Sequence, residues 1–243
     1  MRVTVLGCGD AFGSGGRLHT CFHVAGAGRG FLVDCGASAL IAMRRFGVDP
    51  NGIDAVFLTH LHGDHFGGLP WLILDGQLVS RREKPLVIVG PPGLRTRLPA
   101  AMEALFPGSA SAERSFAVEI REIEAGAPQT VGDVRVTAFA VNHPSGAASH
   151  ALRLEQGGRI LAYTGDTEWV EALVPAGREA DLLIAEGYTV ERPVPFHLSW
   201  AALRARLPEI APRRLMLTHM SPEMLAHRPD GYIAAEDGLV LDL

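Results

Sequence analysis

The chain has 243 residues, 47% of them hydrophobic and 20% charged, with a formal net charge of −5. This composition excludes global disorder, gives material for a sizeable core, and argues against holding a long polyanion through bulk electrostatics. Three cysteines without a Cys-x-x-Cys pair (Cys8, Cys21 and Cys35) argue against a disulfide framework. No apolar run approaches the roughly 20 residues that span a bilayer, and Met1 to Gly7 is too short an apolar run for a signal peptide. A cytoplasmic protein with no membrane partner is expected.

In chain order, Arg2 to Gly7 reads as a buried strand ending in the glycine-rich loop "GCGDAFGSGG", and Cys21 to Asp34 as two strands around the turn "GAGRG". Ala37 to Phe46 has helical spacing, Ala55 to Thr59 is a strand, and Leu69 to Val79 is helical. In that helix Trp71, Leu72, Ile73 and Leu74 suit either the core or an interface. Leu86 to Val89 is a strand, and "PPG" opens a helix to about Phe106, with Gly108 beyond its end. Phe116 to Val141 is strand-like with turns at 125–129 and 132–133, and Ala151 to Thr164 is a hairpin about "EQGG". A short helix is expected at Trp169 to Val174, a strand at Asp181 to Ala185, a helix at Ser199 to Arg206 and a strand at Arg214 to Thr218. Ser221 then opens a partly capped turn in "SPEMLAHR", and the tail "GYIAAEDGLVLDL" reads as a hairpin with an Asp-Gly turn. Without a linker or repeat, residues 1–243 are expected to form one α/β domain. Consecutive groups of strands in both halves predict two mixed sheets flanked by helices.

The chemistry centres on "LTHLHGDHFGG" at 58–68, where His60, His62, Asp64 and His65 follow an apolar strand. Clustered imidazoles repel one another when protonated and bury polar atoms when neutral, and a metal removes both problems. Four ligands from so short a loop would be strained around one cation. Two cations resolve this, with His60 and His62 on one and Asp64 and His65 on the other, and Gly63 is expected to supply an unusual backbone conformation. Further ligands are sought at predicted strand ends, which offer His143 in "FAVNHP", Asp166 in "LAYTGDT" and His219 in "LMLTHMS". His19, His23, His150 and His227 are isolated and are expected to be structural or solvated.

This constellation resembles the metallo-β-lactamase fold superfamily along nearly the whole chain, which implies an αββα sandwich with metals at one edge. The resemblance implies His60, His62, His143 and bridging Asp166 on one ion, and Asp64, His65, Asp166 and His219 on the other. "LGCGDAFGSGGR", "VGPPGL", "DLLIAEG" with Glu186, and "FHLSW" with His197 and Ser199 are similar to the ribonuclease Z branch. There a long tRNA-gripping arm lies between the third histidine and the bridging aspartate. Here that interval runs only from His143 to Asp166, and "AEG" stands where the branch has His-Glu-Ala-Thr, so no stable tRNA binding is expected. Relatives in this branch are often homodimers, an expectation carried by the resemblance alone.

The resulting expectation is a phosphodiesterase for small or flexible diesters, a cyclic nucleotide or a nucleic-acid end. Asp64 is read as ligand and orienter of the water, His197 as proton donor or stabiliser of developing charge, and Glu186 as the carboxylate that orients His197. Mixed nitrogen and oxygen donors without thiolate suit two divalent ions, zinc first, manganese or iron(II) as alternatives. The glycine-rich loop could border the substrate with free amides, and Arg17 could reach a phosphate or simply face solvent. Competing readings are hydrolysis of a lactone, thioester or β-lactam, and a metal-binding module without turnover. A redox di-iron role is disfavoured because His62 is intact.

Overall fold

The computed structural model describes residues 1–26, 30–227 and 231–243. The first half comprises β1 (Arg2–Gly7), β2 (Cys21–Ala25), β3 (Gly30–Val33), α1 (Ala39–Phe46), β4 (Ile53–Phe57), α2 (Gly63–Phe66), α3 (Leu69–Leu78), β5 (Leu86–Gly90), α4 (Leu94–Leu105) and β6 (Val118–Glu122). The second comprises β7 (Gln129–Val131), β8 (Val134–Val141), β9 (Ser149–Gln156), β10 (Arg159–Tyr163), α5 (Leu173–Gly177), β11 (Leu182–Glu186), α6 (Trp200–Ile210), β12 (Leu215–Thr218), α7 (Pro222–Ala226), β13 (Ile233–Ala234) and β14 (Val240–Asp242).

Among the described residues these strands form two seven-stranded sheets, ordered β14-β1-β2-β3-β4-β5-β6 and β13-β12-β11-β10-β9-β8-β7. Each sheet mixes parallel and antiparallel pairs. Side chains alternate across each strand with period two. Phe31 and Val33 of β3 enter the layer between the sheets, where they share a core with Val136, Leu154, Tyr163 and Ile184. Leu32, on the other face, packs with Ala42, Met43 and Ile73 of α1 and α3. The second sheet's outer face is covered by Leu173, Leu203 and Met224 of α5, α6 and α7. Burial on both faces explains why the central strands read as continuous apolar runs. The result is the expected order helix, sheet, sheet, helix. No described helix is long and apolar enough to cross a membrane.

The parallel run β10-β11-β12 matters most for the site. It brings the residues after β10, the end of β11 and the residue after β12 to one edge, and β4 and β8 deliver their loops there as well. Gly165, with φ +61, lies in this approach, and an added Cβ would meet the His150 carbonyl oxygen at 2.9 Å and Thr59 Cβ at 3.0 Å. Only glycine fits, so Asp166 is set by a turn that no other residue could make without displacement.

Several local expectations need correction. The tail is not a hairpin: β13 pairs with β12 and β14 with β1, in different sheets. The Asp-Gly turn itself forms, with Gly238 at φ +91 and its N–H on the Val5 carbonyl at 2.7 Å. Gly63 opens α2 with no left-handed φ and with open space around a Cβ, so the motif does not require glycine there for backbone reasons. Pro91 and Pro92 precede α4, which begins only after Gly93, and the short helix expected at Trp169 starts instead at Leu173. Leu72 and Ile73 are core, whereas Trp71 is partly exposed and meets Phe106 edge-on. The expected turn at 26–30 lies partly outside the described residues, as does Arg228 of "SPEMLAHR". Ser221 accepts the Met224 N–H and caps α7.

Candidate metal centre and active site

The run from β4 carries the chain to the sheet edge, where His60 is fully buried and the next turn winds into α2. The hydrogen bonds fix the tautomers. Thr59 donates its N–H and its hydroxyl to Asp34, both at 2.8 Å. The Thr59 oxygen is then free to accept from His60 Nδ1 at 3.0 Å, which leaves a lone pair on His60 Nε2. His65 Nδ1 donates to Asp34 Oδ2 at 2.7 Å and His143 Nδ1 to the Phe196 carbonyl at 3.1 Å, so in each ring Nε2 is the nitrogen left to serve a metal.

These nitrogens face one another, with His143 Nε2 3.0 Å from His62 Nδ1. His60, His62 and His143 offer ring nitrogens within 4.8 Å of one another, and so do the donor atoms of Asp64, His65, Asp166 and His219. Asp166 lies between the two groups. Its oxygens are 3.3 Å from His65 Nε2 and 3.2 Å from His219 Nε2, and 4.0 and 3.9 Å from the Nε2 atoms of His60 and His143. Asp64 Oδ2 is 3.2 Å from His65 Nε2 and 3.4 Å from His219 Nε2. Buried Nε2 atoms of His60 and His65 and Oδ1 of Asp166 have no hydrogen-bond partner. Unpaired buried polar atoms are rare and costly, and two divalent cations would satisfy all of them. The donor set therefore fits a pair of metal ions. All seven predicted ligand positions are brought together.

The two halves differ electrically. Burial and then the neighbouring imidazole of His65 push His60 well below the usual histidine range; burial and then His143 lower His62. Burial opposes charge on His219 too, but Asp166, Asp64 and Glu186 overcome it and raise the group to about 10. The second half is therefore a place where positive charge is strongly stabilised, whereas burial favours the neutral form of His60 and His62. His219 also has a left-handed φ of +56, held by its N–H on the Cys8 carbonyl at 3.0 Å. A non-glycine residue in that region stores strain at the site.

Glu186 ends β11 with no exposure, and its Oε1 is 2.5 Å from His197 Nδ1 and 3.3 Å from His219 Nδ1. Oε2 accepts the N–H groups of Thr167 at 2.9 Å and Leu198 at 3.1 Å. His197 is partly exposed, and its ring centroid is 5.1 Å from that of His143. Ser199 at the same time caps α6 by accepting the Ala202 N–H, so "FHLSW" serves as a helix start and delivers His197.

Two residues beside the site were not anticipated. Asp34, fully buried, organises both Thr59 and His65; its signal was present as an aspartate ending the apolar run "FLVD", the same pattern that marks Asp166. Tyr188 lies against His197 with ring centroids 4.7 Å apart, and nothing in its sequence context marked it. Much of the glycine-rich loop's amide complement is spent internally: Asp10 takes the N–H groups of Phe12 and Ser14, and Gly9, Gly13 and Gly16 donate to Leu18, Asp10 and Gly13 carbonyls. Arg17 lies with Met220, Met224 and Leu225 along a neighbouring cavity. His23 and His150 lie outside the cluster and are held neutral by burial.

Comparison with known proteins agrees with this geometry. A family model described as anti-Pycsar protein Apyc1 matches residues 1–235. A ribonuclease Z from Methanosarcina acetivorans is 27% identical over 268 positions, covering 91% of this chain and 88% of its own. The crystal structure of the human short form of tRNase Z superposes with a TM-score of 0.83 at 27% identity, covering 100% of this chain and 99% of that one. The metallo-β-lactamase fold protein YhfI from Bacillus subtilis superposes with a TM-score of 0.80 at 22% identity, covering 99% and 98%, a likeness of fold alone. The architecture is the metallo-β-lactamase fold in its short, ribonuclease Z-like form.

Proposed function

The chain belongs to the anti-Pycsar protein Apyc1 family and is a ribonuclease Z-like, metal-dependent hydrolase of the phosphodiesterase or nuclease kind, and from that premise we propose that it cleaves small or flexible phosphodiesters, a cyclic nucleotide or a short nucleic-acid end. The observation that carries this reading is the hydrogen-bonded pair Glu186–His197 at the rim of a double metal-ligand cluster. A phosphodiester releases an alkoxide, which needs a proton, and a partly exposed histidine beside the ligands is placed to give one.

In this reading His60, His62 and His143 would hold one ion and Asp64, His65 and His219 the other, with Asp166 available to both. Two divalent cations would supply Lewis acidity towards water and towards the nonbridging phosphoryl oxygens. Zinc fits the nitrogen-rich first set, and the second set, with two carboxylates, also suits manganese or iron(II). Asp64, buried within the second donor set, would accept a hydrogen bond from the attacking water and orient it. Glu186 fixes His197 through Nδ1, so that the proton on Nε2 is the one offered to the leaving oxygen. The interval between His143 and Asp166 holds only the hairpin β9–β10, turned at Gly157 and Gly158, which favours a small substrate over a folded tRNA.

The test is hydrolysis of bis-p-nitrophenyl phosphate and of a nucleoside 3′,5′-cyclic phosphate by chelator-stripped protein reloaded with Zn²⁺ or Mn²⁺, beside an Asp64→Ala control. Metal-dependent turnover lost in the control is expected. Turnover of a lactone or thioester with neither diester cleaved would overturn the reading.

A further inference from the structure

A cavity of about 580 Å³ and another of about 730 Å³ lie away from the ligand cluster, but one of about 520 Å³ opens directly beside it and shares His197. Its walls are apolar: Trp169, Pro193, Val194, Pro195 and Leu198, closed by Ala202 of α6. Its volume lies within the roughly 300–1,000 Å³ typical of small-ligand sites. No arginine or lysine lines it, and apart from His197 at its inner end its one charged side chain is Glu168, whose carboxylate is already engaged by the Asn142 amide and by the Phe196 N–H at 3.2 Å. Beyond His197 the cleft offers a second phosphate no cationic clamp, and its apolar walls suit a neutral, flat, partly apolar group.

The cleft is also preorganised. The guanidinium of Arg206 lies over the Trp169 ring, 5.5 Å from its centroid, and the indole Nε1–H donates to Glu171 at 3.1 Å. The indole is thus fixed before any ligand arrives. The opposite wall is tied to the ligand cluster, because the Phe196 carbonyl that follows Pro195 accepts from His143 Nδ1 at 3.1 Å. Phe196 holds a left-handed φ of +65 to make that turn.

We infer that this cleft binds the nucleobase of the substrate, with Trp169 as its stacking wall and Ala202 as the residue that keeps it open. The inference rests on the phosphodiesterase reading above and deepens it. If His197 protonates the leaving oxygen, the group that bears that oxygen lies on the His197 side of the phosphorus, and the cleft is what lies there. In a nucleoside cyclic phosphate the leaving oxygen and the base belong to one ribose, so phosphate at the ligands and base in the cleft are compatible with a single small molecule. Base–aromatic stacking contributes about 1–3 kcal/mol, so a tenfold preference for a base-bearing ligand is the expected scale.

The experiment is calorimetric binding of uridine and adenosine 5′-monophosphates against ribose 5-phosphate, on metal-loaded wild type, Trp169→Ala, Trp169→Phe and Ala202→Phe. The wild type should bind the nucleotides at least about tenfold more tightly than the sugar phosphate. That ratio should collapse towards one in Trp169→Ala and in Ala202→Phe, which fills the cleft without removing its wall, and should persist in Trp169→Phe. Equal binding of nucleotide and sugar phosphate by the wild type, or a ratio unchanged in both cleft variants, overturns the inference. Hydrolysis of cyclic nucleotides is measured in parallel. Absent turnover with an intact binding ratio defeats the functional reading and leaves the cleft, and turnover without the ratio defeats the cleft alone.

Discussion

Glu186 joins His197 at 2.5 Å and reaches His219 at 3.3 Å with the same oxygen, so one buried carboxylate links the candidate proton donor to a candidate metal ligand. Burial lowers the His197 basicity and the Glu186 hydrogen bond more than restores it, leaving the group raised above its ordinary value. If His197 donates a proton to the leaving oxygen, its removal should cost most when that oxygen is most basic. His197→Ala is expected to lower kcat by about 10²–10⁴-fold for an alkyl or ribose leaving group and by much less for p-nitrophenolate, which departs without help. Steady-state rates on the two substrate types check this, with metal content per chain measured on the same samples. Equal losses on both substrates would remove His197 from the proton-donor role.

Asp34 supports the site from outside the ligand set. It holds His65 Nδ1 at 2.7 Å and, through Thr59, the tautomer of His60. Partners of this kind typically contribute 10–100-fold in metal affinity. Asp34→Asn can still accept at His65 through its amide oxygen but cannot also serve the Thr59 hydroxyl and N–H as a charged acceptor. A drop of about tenfold or more in Zn²⁺ affinity is therefore expected, read by competition with a chromophoric chelator. Asp34→Ala should lose more and should also lower the Tm, because Thr59 and His65 are left unpaired in the interior.

The candidate cluster was legible because one motif carries four of its residues and because its strand-end members obey a local rule: each follows an apolar run that ends at the edge where loops gather. His60, His143, Asp166 and His219 all satisfy it, and so does Asp34, which shows that the rule was applied too narrowly rather than that the signal was missing. Glu186 and His197 depended on motif likeness, and Tyr188 had neither rule nor motif. The tail illustrates a different limit. Its Asp-Gly turn is local chemistry and forms, but whether the flanking segments pair with each other depends on which sheet edges lie open. Here β12 and β1 both offer an edge, and each captures one segment. Sheet partnership at long range is not written in a period-two pattern.

Removal of the ions should be felt as folding energy. Without them, His60 Nε2 and Asp166 Oδ1 lie unpartnered in a buried site, so binding to the native state alone stabilises it by mass action, about 4 kcal/mol at a thousandfold excess over Kd. Chelation is expected to lower the Tm by several degrees and reloading with Zn²⁺ to restore it. By elemental analysis, the wild type should hold two ions per chain. His143→Ala should hold about one, because the set of Asp64, His65, Asp166 and His219 remains. Loss of both ions in that variant would refute separate sites.

His150 offers a pH test away from the ligands. Its side chain is almost completely buried, and burial lowers its basicity, with Glu124 opposing only partly. The folded group therefore titrates below the unfolded value of about 6.5. Above that value both states are neutral and the residue adds no pH dependence. As the pH falls below it, the unfolded chain takes up a proton that the native state resists, so stability is lost until the folded group titrates as well. His150→Leu removes this linkage. Urea unfolding of both proteins at pH 7.5 and pH 5.5, each in excess Zn²⁺, should show the wild type losing more stability on acidification than the variant, and identical losses would place the acid sensitivity elsewhere.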